Sequence, residues 1–118
     1  MLSETERDAL EDIRDNIARA MRFIDGLDLE GFLADDKTFY AATRCLEIIS
    51  EASRDLSPAF KERHPEIPWK QVAGSGNIYR HNYENVQELR IWKTIHEALP
   101  SLLAVIENEL SVQAGGTP

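Results

Sequence analysis

Residues 74–83 read GSGNIYRHNY. Two glycines one residue apart suggest a phosphate loop, and a phosphate loop would make the chain an α/β protein. That reading requires a strand before the first glycine, a third glycine three residues after the second, and a helix opening there. Tyr79 stands where the third glycine would be, and the residues before Gly74 carry a helical rather than an alternating pattern. The two glycines therefore read as an interruption between helices, and their flanks decide the fold.

Upstream of them, Pro68 can open a short helix through Val72, and Ser57-Pro58 places a capping serine before a first-turn proline. Further back, Asp35 or Asp36 serves as N-cap for a helix with Phe39, Ala42, Leu46, Ile49 and Leu56 on one face. Cys45, Ile48 and Ala52 broaden that stripe, which predicts a helix packed on two sides. Ser3 with Glu6 forms a capping-box pattern, and Leu10, Ile13, Ile17, Met21 and Ile24 follow at three- and four-residue steps. This predicts a first helix over about 4–25 that ends near Gly26. Downstream, the periodicity resumes through Val86, Leu89, Ile91 or Trp92, Ile95 and Leu99. Pro100 then kinks or restarts a last helix bearing Leu103, Ile106 and Leu110. Nothing alternates with period two, so the expected fold is all-α: an up-and-down bundle of four main helices with one or two short ones. One domain is expected over 1–112, with 113–118 as a flexible tail.

The 118 residues suit a single core, and 42% hydrophobic with 29% charged residues is the balance of a globular protein. The formal net charge of −8 repels phosphate backbones, so any nucleic-acid site has to be local. No apolar run approaches the roughly 18 residues of a membrane span, and the polar N-terminus lacks the apolar core of a signal peptide. The cytoplasm is the expected location, without a membrane partner. The one cysteine, Cys45, excludes an internal disulfide or a multi-cysteine metal site and reads as a buried, inert thiol. The residues three before His64, His81 and His96 are Lys61, Ile78 and Lys93, so the Glu-x-x-His pairs of a di-iron bundle are missing. Neither metal nor cofactor is expected.

What remains at the cluster is acid-base chemistry beside fixed positive charge. His81 can titrate near neutral pH, Arg80 can grip a phosphate oxygen through its planar fork, and Asn77 can hold an attacking or leaving oxygen. These are the parts needed for metal-free RNA cleavage, in which a base removes the ribose 2′-hydroxyl proton and a cation stabilises the crowded phosphorane. On residue types alone, His81 satisfying a helix end is the competing reading. Trp69 and Trp92 read as core or interface anchors, and His64 and His96 as surface residues.

The segments EIISEA (47–52), IPWKQVAG (67–74) and NIYRHNY (77–83), in this order and spacing, resemble the HepT-like branch of the HEPN superfamily. The resemblance covers most of the chain. It implies a four- to five-helix bundle that forms a homodimer, with the arginine and histidine motifs of both subunits facing one groove and cutting RNA, not DNA, without a metal. It also implies an MntA-type nucleotidyltransferase antitoxin that adds AMP to the tyrosine of His81-Asn82-Tyr83. The family's asparagine corresponds to Asn77, and its arginine would fall at position 76, where this chain has Gly76. Arg80, or Arg44 from the preceding long helix, would then have to serve the phosphate, and Glu51 is expected as a supporting partner of Arg80 or His81. Three readings stay open: a toxin-type ribonuclease, a non-catalytic module that binds a minimal nucleotidyltransferase, and a plain helical dimer with a structural role.

Overall fold

A computed structural model describes residues 2–77 and 86–115, with side chains through residue 112. Every regular element among these residues is helical. Helix α1 (Glu4–Ile24) opens with the expected capping box: Glu6 N donates to Ser3 Oγ at 3.1 Å, and Ser3 N donates to Glu6 Oε1 at 3.3 Å. It ends where Gly26 takes φ +80°, a left-handed conformation that a residue with Cβ adopts at a cost. Its buried stripe runs through Leu10, Ile13, Ile17 and Ile24, with Ala20 rather than Met21 at the centre.

An unforeseen short helix, α2 (Leu29–Leu33), follows; its N-cap Asp28 accepts a hydrogen bond from Gly31 N at 2.7 Å. It drives Phe32 into the core, where the ring meets Trp92 with centroids 5.3 Å apart. Helix α3 (Asp36–Ser53) has Asp35 as its cap and packs Phe39, Ala42, Leu46 and Ile49 against α1. Cys45 is buried on the same helix, and that burial pushes its thiol pKa up, away from the reactive thiolate.

Helix α4 (Pro58–Glu62) starts as expected at Ser57-Pro58, and α5 (Trp69–Gly74) begins after Pro68 and runs on to Gly74. Trp69 anchors this corner: its indole Nε1 donates to the carbonyls of Lys61 and His64 at 3.2 and 3.0 Å. Glu6 ties α1 to the start of α4 by accepting from Ser57 N at 2.9 Å. The Ser57 bonds hold the Glu6 carboxyl below its ordinary pKa. A depressed carboxyl stabilises the fold above its unfolded-state range, about pH 4.3, and that contribution is lost as the pH falls through the lower folded value. Glu6→Gln is therefore expected to flatten the loss of stability on acidification, as read from urea midpoints at neutral and acid pH.

The last three elements form one nearly continuous rod: α6 (Val86–Lys93), a π-helical turn (Thr94–Ala98) and α7 (Leu99–Gly115). Pro100 lacks an N–H and its ring crowds the carbonyl four residues back, so the ladder shifts by one residue ahead of it. The Leu99 N–H accordingly reaches the carbonyl of Thr94, five residues earlier. The helix continues through the proline by way of this π-helical turn. The inward face also differs from the expected one: Gln87, Ile91, Ile95, Leu102 and Ile106 are buried, whereas Val86 and Leu89 are 47% and 44% exposed and Leu103 is half-buried.

His64 is not a surface residue. Its ring packs 5.1 Å from that of Phe60, and its Nε2 lies 3.6 Å from Glu109 Oε1. The same carboxylate oxygen takes Arg63 Nη2 at 2.6 Å, which ties α4 to α7. His96 is exposed, with Nδ1 2.9 Å from the Trp92 carbonyl and its ring against that indole. Among the described residues no helix is long and apolar enough to cross a membrane.

Candidate functional site

The polar side of α3 carries Arg44, Glu47, Glu51 and Arg54 at steps of three, four and three residues, which places them along one face. The turn after α5, Gly74 to Asn77, lies against this face. Three side chains hold it there. The Ser50 hydroxyl donates to the Ala73 carbonyl, and Arg54 Nη2 donates to the same oxygen at 2.8 Å. From α6, Arg90 reaches back to the carbonyls of Asn77 at 3.3 Å and Gly74 at 3.4 Å. Carbonyls left over at a helix C-terminus need donors, and here two guanidinium groups and a hydroxyl provide them.

Gly76 sits where nothing larger fits. A Cβ built on it would lie 2.9 Å from Ser50 Cβ and 3.0 Å from Glu47 Cα. The second neighbour is helix backbone and cannot swing aside, so the glycine at 76 is required by the close approach of the turn to α3. A side chain at 76 would have to push the turn off its support.

Between α3 and the turn lies a shallow polar depression of about 230 Å³, with Ser50, Glu51 and Arg54 on one wall and Gly76 and Asn77 on the other. Two arginines balance two glutamates along its lining, against −8 for the whole protein. Arg44 stands at its edge, 66% exposed and paired with Glu47 at 3.4 Å. Glu51, expected to be a buried partner, is exposed at the lip. Of the residues singled out in the sequence, Asn77, Arg44 and Glu51 thus share one depression, whereas Arg80, His81 and Tyr83 lie outside the described residues. Asn77 is the last described residue before them. Arg54, Ser50 and Arg90 were missed; the Arg44-to-Arg54 stripe was the signal that could have found the first. Among the described residues no group of three or more His, Cys, Asp or Glu side chains could hold a metal ion.

A helical bundle with a polar face on its second long helix, a helix-ending turn clamped onto it, and an arginine-histidine-tyrosine element directly after that turn defines a HEPN-like protein. The family model described as ribonuclease HepT-like matches residues 13–109, and the chain belongs to that HepT-like ribonuclease family. A relative from Thermococcus cleftensis, named "Probable ribonuclease HepT", is 40% identical over 106 residues, covering 90% of this chain and 96% of its own. Another from Methanocaldococcus jannaschii, named "Putative RNase MJ1380", is 34% identical over 98 residues, covering 83% of this chain and 90% of its own. No solved structure gives a significant match.

Proposed function

We propose that this protein is a metal-independent endoribonuclease, the toxin of a cytoplasmic toxin-antitoxin pair, working as a homodimer. The observation that carries the reading is the family match over 13–109, which encloses Asn77, Arg80, His81 and Tyr83 in their motif order. His81 takes the proton from a ribose 2′-hydroxyl, whose oxygen forms a bond to the adjacent phosphorus while the bond from phosphorus to the 5′-oxygen breaks. The leaving oxygen regains a proton, and a 2′,3′-cyclic phosphate remains. Guanidinium charge stabilises the phosphorane, with Arg80 the nearest such group in the motif. Val86 and Leu89, one turn apart and outward-facing on α6, offer apolar surface for the second subunit. A nucleotidyltransferase antitoxin silences the toxin by transferring AMP from ATP to the Tyr83 oxygen with release of pyrophosphate.

Purified protein is expected to cut RNA in EDTA; complete failure to cut at any protein concentration removes the nuclease reading. Co-expression with an MntA-type nucleotidyltransferase is expected to add the mass of one adenylyl group to the wild type and nothing to Tyr83→Phe. A Tyr83→Phe protein that is still modified refutes the acceptor assignment. The second reading, a non-catalytic module that binds the nucleotidyltransferase, is favoured by one observation, the glycine at 76. It predicts stable co-purification and Tyr83 modification without RNA cleavage.

A further inference from the structure

The nuclease reading gives the phosphorane Arg80 and leaves unassigned the further phosphate contact that a guanidinium at position 76 would supply. We propose that Arg54, the C-cap residue of α3, provides it, so that the depression between α3 and the Gly74–Asn77 turn binds one phosphate of single-stranded RNA. This proposal rests on the nuclease reading for its substrate class and on described residues for its geometry.

Three observations carry it. First, Arg54 Nη2 lies 2.8 Å from the Ala73 carbonyl, which brings the guanidinium to the turn that holds Gly76. A guanidinium has five N–H donors in a rigid fork, so one bond to a carbonyl orients the group and leaves donors for a phosphate. Second, the Gly76 backbone packs directly on Ser50 and Glu47, which denies any cation to position 76 itself. Third, Arg44 and Arg54 both line the depression and both are exposed, but Arg44 pairs with the Glu47 carboxylate at 3.4 Å, which offsets its charge, whereas Arg54 is bonded to a neutral carbonyl and keeps its charge for an anion. The balanced charge of the lining spares an incoming phosphate the repulsion it meets from an acidic protein as a whole.

The Ala73 bond alone would make Arg54 a structural clamp, so the test has to separate charge from hydrogen bonding. Arg54→Gln removes the charge and leaves a shorter amide donor facing the Ala73 carbonyl; Arg54→Lys keeps the charge. Both are made in full-length His81→Ala protein, which holds RNA without cutting it, and titrated with an unstructured fluorescent single-stranded RNA between about 50 and 200 mM salt. Each phosphate contact to a single strand contributes about 0.7 to the slope of log affinity against log salt. Arg54→Gln is expected to bind more weakly with a slope shallower by about 0.7, at an unchanged melting temperature, and Arg54→Lys to retain the parent slope. An unchanged slope in Arg54→Gln overturns the proposal, as does the absence of salt-dependent binding in the parent. RNA that is bound through Arg54 but never cut with His81 intact upholds the phosphate site and removes the nuclease reading. RNA that is cut, with a slope indifferent to Arg54, does the reverse.

Discussion

Replacing Gly76 with arginine, the residue that HepT resemblance assigns there, is expected to destabilise the protein by about 3 kcal/mol and to weaken RNA cleavage. Restoring a family residue would ordinarily be expected to help. Here the obstacle lies at Cβ, 2.9 Å from Ser50 Cβ and 3.0 Å from Glu47 Cα, so no choice of rotamer relieves it. Either the turn lifts from α3, which costs the Ser50 and Arg54 bonds to the Ala73 carbonyl, or α3 deforms. Gly76→Ala should already carry most of the penalty, because the clash begins at the first side-chain atom. Urea unfolding checks this: both variants should shift the midpoint down with an unchanged slope. An arginine variant as stable as the wild type, with faster cleavage, would show that the turn is free to move and that the glycine is a plain loss.

His81→Ala is expected to reduce RNA cleavage in EDTA by about 100- to 10,000-fold, the usual weight of a general acid-base group, while leaving the urea midpoint in place. On the proposed role of His81 as general base, the same variant should lose the acid limb of the pH-rate profile. Binding of uncut RNA should persist, since phosphate contacts and proton transfer are separate interactions. Cleavage that survives in His81→Ala would move the chemistry to another residue, and cleavage that disappears together with the fold would make His81 a structural residue.

Much of the architecture was legible because short-range physics wrote it. The Ser3–Glu6 box, the Asp35 cap and the Ser57-Pro58 start each satisfy helix-end donors within three residues, and all three open helices where expected. Helix α2 escaped because five residues carry no period; only the Asp28 cap and one aromatic, Phe32, mark it. The outward turn of Val86 and Leu89 was illegible for another reason. Periodicity identifies a stripe, but the side of the rod that meets the core is set by packing, and here it is the one bearing Gln87, Ile91 and Ile95. His64 was misread likewise: a histidine outside any motif read as a surface residue, whereas Phe60 and Glu109 enclose it from two elements.

At the candidate site the division is sharper. The sequence alone determined an all-helical chain, the order Asn77, Arg80, His81, Tyr83, and a glycine at 76, because residue types and short-range spacing are properties of the chain itself. Only the tertiary structure decided that Gly76 is a contact with α3 and that Arg54 and Arg90 clamp the turn. These depend on atoms that meet across separations of 13 residues and more: Gly76 to Ser50, Arg54 to Ala73 and Arg90 to Asn77. Such meetings are set by how two helices pack, and no local pattern encodes them.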